Sequence, residues 1–141
     1  MADKSCARVA DIVGLLNRLA PPHLAEEWDN VGLQVGDPSA LVHRIMVCLD
    51  VEAGTIAEAT RLGADLIVCH HPLIFRPLKR LTPSDPAGEI IFQAIQRKIA
   101  IIAAHTNLDR CVDGLNDWLA AQLGITAATP LEGPRNDGYY K

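Results

Sequence analysis

Apolar positions recur along this chain in two alternating rhythms. Val9, Ile12, Val13, Leu16 and Leu19 fall at helical spacing and stop at Ala20-Pro21-Pro22, which predicts an amphipathic first helix with a firm end. Ile45, Met46, Val47, Cys48 and Leu49 form a short run that is apolar throughout, the pattern of a strand buried on both faces. Ile56, Ala59 and Leu62, closed by Gly63, predict a helix after it. Leu66, Ile67, Val68 and Cys69 form a second such strand, followed by a Pro-rich loop with Pro72, Pro77, Pro83 and Pro86. Helical spacing returns with Ile90, Ile91, Ala94, Ile95 and Lys98, and residues 99–104 make a third strand. Leu115, Trp118, Leu119 and Leu123 mark one face of a last helix, which Gly124 ends. The stretch from Gly32 to Gly36 adds a possible edge strand.

Strand and helix thus alternate three times. A βαβαβα order implies parallel strands, right-handed crossovers and helices on the sheet faces, so the expected class is α/β: a layered fold with a mainly parallel sheet flanked by helices. No linker or internal repeat interrupts residues 1–141, which are expected to form a single domain with an irregular tail over 125–141.

Composition narrows the classes of function. Thirteen Lys+Arg against seventeen Asp+Glu give a net charge of -4, without the basic footprint of a nucleic-acid-binding protein. Six aromatics (two each of Trp, Tyr and Phe) are too few for a base-stacking platform. No apolar run reaches the ~20 residues of a membrane span, and Arg8 and Asp11 break any secretory signal near Met1. Cys6, Cys48, Cys69 and Cys111 are spaced too widely for a zinc knuckle or a redox pair and are read as reduced thiols of a cytoplasmic protein.

In open α/β sheets ligands gather beyond the carboxyl ends of the strands, and each core strand here ends in reactive groups. The first ends at Asp50, the second runs into His70-His71-Pro72, and the third into His105-Thr106-Asn107-Leu108-Asp109. Taken alone, a His-His pair most simply caps a strand end. On a regular strand the two imidazoles would also point to opposite faces. Leaving the strand ahead of Pro72, both can turn toward one cavity. With His105 and Asp109 arriving from the neighbouring strand end, imidazoles and a carboxylate form a nitrogen and oxygen set suited to Zn, Fe, Mn or Ni. The segment Glu26-Glu27-Trp28-Asp29-Asn30 reads either as a plain turn or as a carboxylate placed beside that pocket. His23 and His43 fall away from the cluster.

These segments carry a resemblance. Glu27-Trp28-Asp29-Asn30-Val31-Gly32-Leu33, Cys69-His70-His71-Pro72-Leu73-Ile74-Phe75 and His105-Thr106-Asn107-Leu108-Asp109, followed by Leu115-Asn116-Asp117-Trp118-Leu119, resemble in order and spacing the motifs of the dinuclear metal centre family. That family is also called Nif-three-like, and its members often bear the name type 2 GTP cyclohydrolase I. The resemblance covers roughly residues 9–131 and the N-terminal half of a longer, two-part metal-binding protein. It implies that His70, His71 and Asp109 bind a pair of divalent transition metal ions, with His105 a further ligand or the support of one. It also implies that a His and a Glu from a later segment complete the pair; no His follows His105 here. The implied activity is a metal-dependent hydrolase, cyclohydrolase-like or phosphoesterase-like, acting on a small molecule not identified by the sequence. A non-enzymatic protein that uses metal to regulate or engage a partner is the rival, and an α/β scaffold with structural histidines is the third reading. Full-length relatives are expected to be homo-oligomers.

Overall fold

The computed structural model describes residues 6–128. The chain starts with β1 (Ala7–Arg8) and α1 (Val9–Leu19), passes a short 3-10 turn at Pro22–Leu24, and enters β2 (Gly32–Val35), β3 (Leu41–Val42) and β4 (Ile45–Cys48). It continues through α2 (Ala53–Leu62), β5 (Leu66–Cys69), α3 (Pro86–Gln96), β6 (Ala100–Ala103), α4 (Thr106–Arg110) and α5 (Leu115–Gln122). The α/β class follows directly from this order.

Local chemistry sets the element ends. The Asp11 carboxylate accepts the Arg8 amide at 2.7 Å at the start of α1. Gly63, at φ 67°, ends α2 in the left-handed conformation that glycine adopts without strain. Pro86 opens α3 while Asp85 accepts from the Gly88 amide at 2.8 Å. Lys98 falls just past this helix, in the turn before β6, and not on its apolar face.

The main sheet has the order β2-β6-β5-β4. β4, β5 and β6 run parallel, with Ile45 beside Leu66 and Leu66 beside Ala100, and β2 joins β6 antiparallel. A two-stranded β1–β3 ribbon lies apart. On one face Ile67, Cys69, Ile101 and Ala103 meet Ile56 and Ala59 of α2 and Ile91 and Ala94 of α3. On the other, Leu66, Ala100 and Ile102 meet Val9, Ile12, Val13 and Leu16 of α1.

Two expectations need correction. β4 is not buried on both faces: it is an edge strand, and Ile45, Val47 and Leu49 are exposed because α1 covers β5 and β6 and stops short of it. α5 forms where its spacing predicts, yet Leu115, Trp118, Leu119 and Leu123 remain exposed, so its apolar face has no cover among the described residues. β1 and β3, of two residues each, were too short to carry a periodic signal. Of the tail expected over 125–141, residues 129–141 lie outside the described residues. No described helix is long and apolar enough to cross a membrane.

Candidate metal centre

The backbone carries both histidines of β5 into one place. The ladder continues past the strand, with the amides of His70 and His71 donating to the carbonyls of Cys48 and Leu49 at 3.2 and 3.0 Å, while Ala104 donates to Cys69 at 3.0 Å. The chain turns toward Pro72 there, so the two imidazoles no longer alternate across the sheet. Their ring centres are 5.1 Å apart, and the His105 ring, arriving from β6, lies 5.1 Å from His70 and 5.6 Å from His71. One ligand atom from each of the three lies within 4.8 Å of the others.

Each ring is fixed by its Nδ1. His70 Nδ1 lies 2.9 Å from the Ala104 carbonyl, His71 Nδ1 2.7 Å from Asp50 Oδ1, and His105 Nδ1 2.9 Å from Asp29 Oδ1. A carbonyl or carboxylate oxygen can only accept, so every Nδ1 carries the proton and every neutral ring presents a bare Nε2 lone pair. Asp109, one helical turn beyond His105, brings Oδ1 to 3.7 Å from His70 Nε2. It therefore sits at the edge of the group, beside His70, while the imidazole trio is His70, His71 and His105. His43 is elsewhere, 3.5 Å from Asp65.

The His105 side of the centre is the most closely built. The Asp29 side chain has 0% exposure. Desolvation pushes its carboxyl upward, but bonds from the Thr106 hydroxyl, His105 and the amides of Thr106 and Asn30 outweigh this and hold it below its ordinary value. Asn107, buried, accepts the His105 amide at 2.9 Å and donates to the Ala20 carbonyl at 2.7 Å, which ties the segment to the end of α1. Leu108 packs on Ala20, Leu24 and Cys111. Every residue from His105 to Asp109 thus has a task, and the Trp28-Asp29 segment is no plain turn. The sequence pointed to a carboxylate there without specifying its partner.

An aromatic wall flanks the histidines. Trp28 and Phe75, both substantially exposed, stand edge to face at 5.8 Å, and lie 6.3 and 6.4 Å from the His105 ring. Asn30 bonds the Ile74 carbonyl, and Gln34 accepts the Ile74 amide at 3.0 Å, so the loop carrying Phe75 is pinned to β2. The thiols stand outside this chemistry. Burial pushes the Cys69 thiol up to about 12, so it stays protonated and inert.

Comparison with known proteins gives a consistent result. The family model described as Duf34/NIF3 (NGG1p interacting factor 3) matches residues 7–138. A Lactococcus lactis protein named GTP cyclohydrolase 1 type 2 homolog is 40% identical over 125 residues, covering 89% of this chain and 49% of its own length. A Bacillus subtilis protein of the same name is 42% identical over 120 residues, 85% of this chain and 32% of that one. Among solved structures, a Bacillus cereus protein related to NIF3 superposes with a TM-score of 0.84 at 41% identity, covering 92% of this chain and 35% of that one. Reduced HcgD from Methanocaldococcus jannaschii gives 0.82 at 31%, covering 96% and 53%. The chain spans about half the length, or less, of these relatives.

Proposed function

The chain belongs to the Duf34/NIF3 family, and from that premise we propose that it binds a divalent transition metal, Zn, Fe, Mn or Ni, through His70, His71, His105 and Asp109 and serves a metal-dependent hydrolase. One observation carries the reading: three imidazoles, each locked through Nδ1 to an oxygen acceptor, converge with free Nε2 atoms. Histidine ligands of metal sites are oriented by such acceptors on their other ring nitrogen, and neutral imidazole suits those ions and not Ca or Mg. A bound ion of this kind would supply Lewis acidity toward a substrate oxygen and toward water.

The chain's own residues would do the rest. Asp50 and Asp29 hold His71 and His105 in the ligating tautomer, and the Ala104 carbonyl does so for His70. Asp109 adds a negative charge beside His70. Trp28 and Phe75 offer exposed aromatic faces beside the imidazoles, which suits a planar heteroaromatic substrate better than a simple alkyl phosphoester. The relatives' name points to GTP, a purine nucleotide of that shape. Metal analysis of the purified chain against its His70→Ala, His71→Ala variant tests the centre, and GTP turnover with and without chelator tests the hydrolase.

The apolar face of α5, uncovered among the described residues, favours a second reading, a metal-dependent partner-binding protein. Capture of a partner that is lost on chelation, without any turnover, selects it over the hydrolase.

A further inference from the structure

A second concave site lies against the 72–82 loop, outside the metal centre. It has a volume of about 740 Å³ and is shared by the end of β2, the loop, α3 and the start of β6; none of His70, His71, His105 and Asp109 lines it. Val35, Ile91 and Ile99 are buried beneath it, while Leu78, Leu81 and Ile95 stay 43, 42 and 54% exposed along it. A cavity of this size suits a small molecule, and exposed apolar side chains of this kind gain from being covered by an apolar body.

The polar groups on the lining single out one. Gln34 is already engaged, since its Nε2 donates to the Asn30 carbonyl at 2.8 Å and its Oε1 accepts the Ile74 amide at 3.0 Å. Asp37 Oδ1 takes the amide and the hydroxyl of Ser39, and Arg8 supplies an opposing charge nearby. Lys98 has no hydrogen-bond or ion-pair partner for its ammonium among the described residues.

The backbone gives a second, independent sign. α3 closes in a Schellman turn, with the Ile99 amide donating to the Ala94 carbonyl at 2.9 Å and the Lys98 amide to the Ile95 carbonyl at 3.1 Å. Lys98, at φ 57°, thus holds the left-handed place that Gly63 holds after α2. A long side chain kept there against backbone strain is expected where the side chain itself has a use.

We infer that this cavity binds a medium-chain carboxylate, its alkyl chain laid along Leu78, Leu81 and Ile95 and its head paired with the Lys98 ammonium. One lysine balances one negative charge, so a monoanion fits better than a phosphate ester, and Asp37 on the same lining further disfavours a dianion. The ammonium has three donors to give to the two carboxylate oxygens.

Titration calorimetry of the 141-residue chain with decanoate, below its micelle concentration, reads the site directly. Decanoate should bind about tenfold more tightly than neutral decanamide, the contribution of one charge-assisted hydrogen bond. Octanoate, two methylenes shorter, should bind about tenfold more weakly than decanoate. Lys98→Gly removes the charge and relieves the turn, so it should melt no lower than wild type and yet bind decanoate no better than decanamide. Lys98→Arg should keep the preference, and Ile95→Glu, at an exposed position, should abolish binding with its circular dichroism unchanged. Chelator and the His70→Ala, His71→Ala variant should leave the affinity unaltered, which separates this site from capture of a carboxylate by a metal ion. Wild type that takes up none of these probes, equal affinity for decanoate and decyltrimethylammonium, a Lys98→Gly variant that still prefers decanoate, or loss of binding in the histidine variant overturns the inference.

Discussion

Asp29 and His105 stand 76 positions apart in the chain, yet a carboxylate with no solvent exposure accepts the Nδ1 proton of the imidazole at 2.9 Å. The same carboxylate takes the Thr106 amide at 3.1 Å and the Thr106 hydroxyl. One buried anion therefore sets both the tautomer and the tilt of His105. Asp29→Asn keeps the shape but loses the charge that favours a protonated Nδ1, and it should weaken metal binding by about 10–100-fold. Asp29→Ala leaves several buried donors without an acceptor and should also cost about 2–3 kcal/mol of stability. Competition against a zinc chelator and urea denaturation measure the two effects.

Metal binding should be proton-linked. Imidazole ligates only when neutral, so occupancy is expected to fall in acid, with protons released on metal addition there. Titration calorimetry in two buffers of different ionisation enthalpy reads the released protons. The His70→Ala, His71→Ala variant should show neither binding nor release.

Much of this grouping was legible in the sequence, and the part that was not has a physical cause. Strand ends draw ligands by topology, so His70, His71, His105 and Asp109 could be grouped once three parallel strands were counted. Which nitrogen each ring presents depends on acceptors brought in by the fold, Asp29 above all, and no local pattern encodes a contact across 76 positions. The misreading of β4 has the same origin. A continuous apolar run looks alike whether or not a helix covers its second face, and here α1 leaves Val47 bare.

Asp65 ties the start of β5 to the start of β4. Its Oδ2 accepts from the amides of His43 and Arg44 at 2.8 and 3.0 Å. Desolvation raises its carboxyl, but these bonds and the nearby His43 outweigh it, and the net shift is below the ordinary value of 3.8. A carboxyl depressed in the folded state contributes stability that is fully present above its unfolded value and is lost as pH falls through the folded one. Asp65→Ala should therefore cost about 1 kcal/mol or less at pH 7, since solvent screens a carboxylate about a third exposed, and less still as pH falls through the folded value. Denaturant melts of both proteins at pH 7 and at pH about 3 check the sign; an equal cost at both would refute it.

Gly36 ends β2 at φ 119°, with an added Cβ 2.6 Å from the Ala100 Cβ and 2.8 Å from its Cα. Gly36→Ala thus meets strain and a backbone clash at once, and should cost about 3 kcal/mol or more. Gly124, at φ 73° in open space, isolates the conformational cost alone. Gly124→Ala should lose only about 1 kcal/mol. Thermal melts of the pair should separate them clearly, and equal losses would show that β2 can move off β6 freely.

The number of ions that the chain holds follows from counting donors. Three Nε2 atoms and the Asp109 carboxylate fill one four-coordinate site, or three places of it plus a water. The other carboxylates nearby are already engaged: Asp50 Oδ1 holds His71, and both oxygens of Asp29 hold His105 and Thr106. A second ion would have to share Asp109, take the one remaining Asp50 oxygen, or displace one of those bonds, which would also release the ring that the bond orients. The 141-residue chain should therefore take up about one ion per molecule under saturating Zn or Mn. Two-ion sites gain a clamp on both the attacking and the leaving oxygens, and its absence should hold GTP turnover on the order of a hundredfold or more below that of a protein with the full pair. Elemental analysis and turnover can be run side by side with the Lactococcus lactis relative, of whose length the match covers 49%. Two ions per molecule in this chain, with turnover equal to that of the relative, would show that His70, His71, His105 and Asp109 already serve a complete pair.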